Sequence, residues 1–213
     1  MVALGERHSD TIQTATRTTK TLVLFDFDGT LTAKETLPEF IAYVYQGSKK
    51  YIKALLFLPF WLLHRLGFIS HQQSKRQLVK LYLANKPADW LEDVSIHFTY
   101  EKLPELLKTN ALERLEWHLS QGHEVVVVSA SMSLWLKEWC EQRHIRLIAT
   151  ELEVKNGFYT GRLATKSCTG KEKVRRIKST LPLQEYSYIY AYGDSKGDKA
   201  MLDLANEKYY KYF

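Results

Sequence analysis

The chain has only two cysteines in 213 residues, Cys140 and Cys168. Two are too few for a disulfide framework, and neither has a partner at metal-ligand spacing, so a reducing, cytoplasmic location is expected. No apolar run reaches the roughly 20 residues that a membrane-spanning helix needs. The greasiest stretch, Ala54–Leu63, lies between Lys53 and Arg65 and carries Pro59 in its middle. Residues 1–20 are rich in Thr, broken by charges and without the apolar centre of a secretory signal, and read as a flexible tail. The seven histidines show no ligand-like spacing. Acidic residues are missing from Phe40 to Ala88, while Lys49, Lys50, Lys53, Arg65, Lys75, Arg76, Lys80 and Lys86 all fall there. In a chain of net charge +6 the remainder is therefore slightly acidic, and this segment favours anionic partners, with no nucleic acid expected among them.

What is present is enough for one sizeable core, or a core with a smaller inserted domain: 45% of residues are hydrophobic and 13% aromatic. The organising stretch is Thr21–Thr32, a continuous apolar run that ends in Asp26 and Asp28, followed by Gly29 and Thr30. Such a run reads as a buried strand of a parallel sheet, stopped by its glycine. The two carboxylates then lie past the carboxyl end of a central strand, where open α/β sheets place ligands. Carboxylates this close repel, and a divalent cation relieves the repulsion, which points to metal-assisted chemistry.

From Glu35 to about Leu119 the pattern is helical, with helices expected over Leu37–Tyr45, Tyr51–Leu66, His71–Leu83, Ala88–Phe98 and Leu103–Leu119. Residues 37–119 are thus an all-helical insertion, the α/β core being 21–36 and 120–213. The stretch 51–66 is either internal or lines a cleft, as a helix apolar on every face usually does. The other reading has it dip into a membrane interface while neighbouring lysines meet anionic headgroups. Beyond Gly122, a β-branched run, His123–Val128, stops at Ser129-Ala-Ser131 with a helix from Met132 to Gln142 behind it. Ser129 then shares the Asp26 end of the sheet as an anion site, unless Ser129 or Ser131 is merely a helix cap. Asn156-Gly157 marks a tight hairpin turn. A basic helix opens at Lys171, the cation placed at its mouth to reach a site. The strand Tyr186–Tyr192 ends at Gly193-Asp194, with Asp198 four residues on. A calcium loop there lacks the alternating oxygen ligands and closing Glu it would need.

Taken in order, Asp26-Phe-Asp-Gly-Thr-Leu-Thr32, Ser129-Ala-Ser131, Lys171 and Gly193-Asp194-Ser-Lys-Gly-Asp198 resemble motifs one to four of the haloacid dehalogenase superfamily. The Lys171-Glu-Lys-Val run, the Tyr192-Gly-Asp-Ser phrase and the position of the helical insertion resemble its phosphoserine-phosphatase-like subfamily in particular. The resemblance implies a Rossmann-like parallel α/β sheet with a helical cap between motifs one and two. It also implies a magnesium-dependent phosphomonoesterase working through an aspartyl-phosphate. On that pattern Asp26 is the nucleophile and Asp28 the general acid and base. Asp26, the Asp28 carbonyl and Asp194 hold magnesium. Ser129, Lys171 and Gly29 meet the phosphate, with Asp198 and Thr30 in support. A dehalogenase would lack the second carboxylate; a phosphomutase would keep it.

The substrate is less determined. Glu35 stands where phosphoserine phosphatases bind the substrate amine, which suggests a small soluble phosphomonoester such as phosphoserine. Motif two, however, reads Ser-Ala-Ser rather than Ser-Gly-Gly, and the insertion is more basic and apolar than a small zwitterion requires. C-type phosphatidylglycerophosphatases look similar, with a greasy segment in the same region, so an anionic phospholipid headgroup phosphate and peripheral membrane contact are the leading expectation. A reading of another class is a catalytically silent module that binds membranes or acidic partners.

Overall fold

The computed structural model describes residues 20–45, 57–63 and 65–213. The expected tail, except Lys20, and Lys49, Lys50 and Lys53 lie outside them. Five parallel strands form the central sheet: β1 (Lys20–Phe25), β3 (Glu124–Met132), β4 (Arg146–Thr150), β7 (Tyr186–Gly193) and β8 (Glu207–Tyr210), in the order β4-β3-β1-β7-β8. β1 is central, paired through Phe25 with Val127 on one side and Tyr192 on the other. The chain runs outward on one side of β1 and then returns to the other, so the crevice for a ligand opens at the carboxyl ends of β1 and β7.

Both faces of the sheet are covered, which is why its strands read as unbroken apolar runs rather than alternating ones. Val23, Phe25, Val125 and Val127 face one core, with Leu115 of α5 (Thr109–Ser120) and Trp135 and Trp139 of α6 (Ser133–Glu141). Leu22, Leu24, Val126 and Val128 face the other, with Ile177 of α7 (Lys171–Thr180) and Met201 of α8 (Lys199–Leu202). The first core continues without a break into the insertion, through Phe40 of α1 (Thr36–Val44), Val79 of α2 (His71–Leu83), and Leu91 and Phe98 of α3 (Ala88–Glu101).

The insertion departs from the expected pattern in three respects. The helix expected over Leu103–Leu119 is broken into α4 (Leu103–Leu106) and α5 by extended Leu107 and Lys108. Backbone pairing explains the break: Ala33 N–H donates to Leu106 O at 2.8 Å and Lys108 N–H to Leu31 O at 2.8 Å, so the two crossings between core and insertion are bonded to each other. α5 then packs on the sheet rather than within the insertion. Nor is the insertion wholly helical, because β2 (Lys86–Pro87) joins the hairpin β5 (Leu152–Lys155) and β6 (Phe158–Leu163) in a second sheet, β2-β6-β5. The hairpin turns at Asn156 and Gly157, both at positive φ (51° and 77°), as a tight two-residue turn requires. Third, residues 57–63 are helical but not internal: Leu58, Trp61 and Leu62 are about half exposed, and Phe68 is 75% exposed. α2 begins just beyond, where Ser70 and Gln73 form a reciprocal capping box.

Near the carboxyl end of β7, Tyr192 stacks between Phe25 and Tyr209 with ring centroids 4.4 and 4.6 Å away. Its hydroxyl accepts from Arg114 Nε at 2.8 Å and lies 2.9 Å from His118 Nε2, whose Nδ1 is 2.9 Å from His123 Nδ1. Arg114 can only donate, so the chain is satisfied when Tyr192 donates to neutral His118 and His118 Nδ1–H donates to His123. Burial first, then Arg114 and His123, push His118 down to about 3. A pKa depressed in the fold favours the neutral ring, so this stability is complete above pH 6.5 and is lost as pH falls toward 3. At pH 5 the loss should be about 2 kcal/mol. Urea unfolding at pH 7 and pH 5 tests this by comparison: the change in stability from pH 7 to pH 5 should be more favourable in His118→Gln than in the parent chain by about 2 kcal/mol, and an equal pH dependence in the two would absolve His118.

Candidate active site

The loop after β1 is drawn tight: Phe27 O accepts the N–H groups of Thr30, Leu31 and Thr32 at 3.3, 2.8 and 3.1 Å. Gly29 makes the turn at φ +81°, and a Cβ there would stand 2.4 Å from Asp194 Oδ2, so only glycine lets motifs one and four close on each other. Lys108, at the return crossing from the insertion, donates from Nζ to Gly29 O at 2.5 Å.

Asp26 is buried just past β1. Its Oδ1 accepts from Lys173 Nζ at 2.5 Å and its Oδ2 from Thr30 Oγ1 at 3.3 Å. Lys173 Nζ also donates to Asp198 Oδ1 at 2.6 Å and to Val128 O at 2.6 Å. Asp198 is fixed in turn by the N–H and hydroxyl of Ser195, at 2.9 and 2.6 Å. Thus one ammonium ties together the ends of β1 and β3 and the loop after β7. Lys173 is held charged by its two carboxylates, against the burial that opposes it. Asp198, though buried, is held ionised by Lys173 and Ser195. Asp26 is pushed up to about 7, chiefly by burial and against the pull of Lys173, with Asp198 and Asp28 adding repulsion.

This corrects one expectation: Lys171 is exposed at the first position of α7 and does not line the cavity, whereas Lys173 is fully buried within it. The sequence held a signal for the buried lysine. Lys173, Ile177 and Leu181 recur at i, i+4 and i+8 and are all buried, so Lys173 lies on the core-facing stripe.

Carboxylate oxygens of Asp26, Asp194 and Asp198 lie within 4.8 Å of one another. Asp28 turns away from this group. Its Oδ1 accepts from Thr36 N–H at 2.9 Å and Thr36 Oγ1 at 2.7 Å, and its Oδ2 accepts from Ser131 Oγ. Asp28 therefore caps α1, whose own N-cap residue Glu35 makes no side-chain capping bond. Ser129 is buried, accepts from Ser131 N–H at 3.0 Å and lines the cavity; neither serine caps α6, which starts after Met132 without a side-chain cap. The cavity, of about 140 Å³, is closed on the insertion side by Glu35 and by His71, Gln72 and Lys75 of α2. Burial, then the charge of Asp28, raise the Glu35 pKa. Lys75, Thr36 and Lys108 were not singled out from sequence, since their contacts span 79 residues or join separate elements.

Removing the buried ammonium would leave two carboxylates uncompensated. Lys173→Met should cost about 3–5 kcal/mol in urea unfolding, against about 0.5 kcal/mol or less for Lys171→Met. Similar losses in the two variants would contradict this division.

Residues 23–203 match the haloacid dehalogenase-like hydrolase family. Protein CicA of Caulobacter vibrioides is 29% identical over 194 residues, covering 90% of this chain and 86% of that protein. Phosphoserine phosphatase of Archaeoglobus fulgidus is 27% identical over 192 residues, covering 87% of this chain but 51% of that longer protein. A solved protein of unknown function from Bordetella pertussis Tohama I shares the fold with a TM-score of 0.77 at 24% identity, over 90% of this chain and 89% of that one. Strand ends that converge on one acidic cavity agree with the family match over most of the sequence: the chain belongs to the haloacid dehalogenase-like hydrolases and is similar to a phosphoserine phosphatase.

Proposed function

We propose that the chain hydrolyses phosphomonoesters with magnesium, through an aspartyl-phosphate on Asp26. The observation that carries this reading is the pairing of a buried, Lys173-bonded Asp26 with Asp28 on the wall of the same small cavity. In the first half, an Asp26 oxygen attacks phosphorus as the bond to the leaving oxygen breaks, and Asp28 gives that oxygen its proton. In the second, Asp28 takes a proton from the attacking water, and inorganic phosphate leaves as the Asp26 carboxylate is restored. Lys173 takes the phosphate-binding role that the sequence pattern assigned to Lys171. With the Ser129 hydroxyl it holds the equatorial oxygens, Gly29 lets the backbone approach them, and Thr30 and Asp198 fix their neighbours.

The donor set fits a hard divalent cation. Beyond the three converging carboxylates, Asp194 has a Thr30 hydroxyl at 3.5 Å as its side-chain donor, and burial followed by Asp198 raises its pKa, so negative charge there is under-compensated. Asp26, Asp194 and the Asp28 backbone carbonyl would hold magnesium, leaving Asp198 to Lys173. When bound, the ion supplies charge neutralisation at the phosphoryl oxygens. Because Asp26 must give up a proton to bind a cation, apparent magnesium affinity should fall about tenfold per pH unit below pH 7 and level off above it. Calorimetric titration across pH 5.5–8 reads this, with Asp26→Asn losing the pH dependence and about a thousandfold or more of phosphate release from p-nitrophenyl phosphate. A pH-independent affinity would remove Asp26 from the ligand set.

For the substrate, a phospholipid headgroup phosphate such as that of phosphatidylglycerophosphate is supported by the exposed apolar residues Leu58, Trp61, Leu62, Leu66 and Phe68. They lead directly into α2, whose first turns wall the cavity. The cavity is below the roughly 300–1,000 Å³ of pockets that enclose drug-sized ligands, so it admits a phosphate and its first neighbouring atoms while the rest of the substrate stays outside. Glu35 on the rim favours the alternative, a small amine-bearing phosphomonoester such as phosphoserine. Against a silent binding module stand Asp26, Asp28, Lys173 and Asp194, which line one cavity. Trp61→Glu with Phe68→Glu, or removal of Lys49, Lys50 and Lys53, should reduce turnover in anionic vesicles at least about tenfold, given roughly 1 kcal/mol per cation at a membrane surface. Turnover of p-nitrophenyl phosphate should change less than about twofold; equal losses would exclude the lipid.

A further inference from the structure

Ser131 is where motif two departs most from the Ser-Gly-Gly pattern, carrying a side chain in place of glycine. That side chain is fully buried and is committed to Asp28: Ser131 Oγ donates to Asp28 Oδ2 and lies 3.0 Å from Thr36 Oγ1. Behind it, Lys75 Nζ donates to Ser131 Oγ at 3.4 Å, with Asp28 Oδ2 at 3.8 Å and Glu35 Oε2 at 3.9 Å. On the other side, Trp135 Nε1 donates to Thr36 Oγ1 at 2.9 Å.

A carboxylate has about four acceptor positions, two on each oxygen. Thr36 uses both on Asp28 Oδ1, with its N–H and its hydroxyl. Proton transfer therefore falls to Oδ2, where Ser131 occupies one position and leaves the other for the leaving group. The rotation of that oxygen is set by a hydroxyl, which can donate to the carboxylate and accept from the carboxylic acid, the two forms through which Asp28 cycles. Lys75 comes from α2 of the insertion, so this alignment is complete only while the insertion is seated on the core.

Resting on the reading of Asp28 as the acid that protonates the leaving group, we propose that Ser131, backed by Lys75, is a positioning residue for Asp28 that aims Oδ2 at the leaving-group oxygen. The departure from glycine in motif two is then a functional feature of this chain: it couples leaving-group protonation to the insertion through one hydroxyl and one ammonium.

Leaving groups separate this role from a structural one. A nitrophenolate departs with little help, whereas an alkoxide must be protonated. The value of kcat/KM covers phosphoryl transfer to Asp26 and excludes the later hydrolysis, so it should be measured in the full chain for p-nitrophenyl phosphate and for an alkyl phosphate such as glycerol phosphate. Ser131→Gly should lose about tenfold more on the alkyl than on the aryl ester, and Lys75→Met should lose in the same sense. Asp28→Asn is the reference. If it shows no alkyl-selective loss, the acid reading itself fails. If it does, but Ser131→Gly and Lys75→Met lose equally on both esters, the positioning role is wrong while the mechanism stands. Circular dichroism and thermal unfolding accompany each variant, and should Ser131→Gly not fold, Lys75→Met decides alone.

Discussion

The site depends on one buried ammonium. Lys173 Nζ touches Asp26, Asp198 and the Val128 carbonyl, groups contributed by the ends of three different parallel strands or the loops that follow them. A lone charge at that depth would be strongly disfavoured, and so would either carboxylate without it. Together they are tolerable, but only in the geometry where the strand ends converge. The same interaction that permits burial thus defines the shape of the cavity floor. Asp26 remains the least compensated of its partners, with its proton held up to about pH 7, and is therefore the group that most gains from a cation alongside.

The second constraint is the union of insertion and core. One hydrophobic core runs from β1 and β3 through α5 and α6 into α1, α2 and α3. The crossings at 31–33 and 106–108 are hydrogen-bonded to each other, and Lys108 extends that clasp to the Gly29 carbonyl of the loop after β1. α1 begins against Asp28 and α2 delivers Lys75 to the same carboxylate. The insertion is therefore not a lid laid over a finished site: with Thr36 at the start of α1, its Lys75 supplies part of the polar shell around Asp28.

What was legible in the sequence, and what was not, divides along physical lines. Strand ends were readable because a run such as Leu22–Phe25 or Val125–Val128, stopped by Gly or Ser, has few ways to be buried, and Asp26, Asp28, Ser129, Asp194 and Asp198 stand at those stops. Helix α2 was readable to the residue, His71–Leu83, from its helical pattern. The break at Leu107–Lys108 was not, since it follows from pairing with residues more than seventy positions earlier, to which local propensity is blind. The choice between Lys171 and Lys173 went astray because proximity to the helix mouth was weighed above the facing set by Ile177.

The sequence by itself determined the chemistry on offer: which carboxylates, hydroxyls and glycines stand at strand ends, and in what order. These follow from local rules of turn formation and from the apolar content that forces parallel strands inside. Only the tertiary structure decided which of two lysines joins the carboxylates, that Asp28 leans on Thr36 and Ser131, and that Leu58, Trp61, Leu62, Leu66 and Phe68 face outward rather than in. Such choices depend on the burial of charge and the matching of donors to acceptors between distant segments, and those energies exist only once the segments have met.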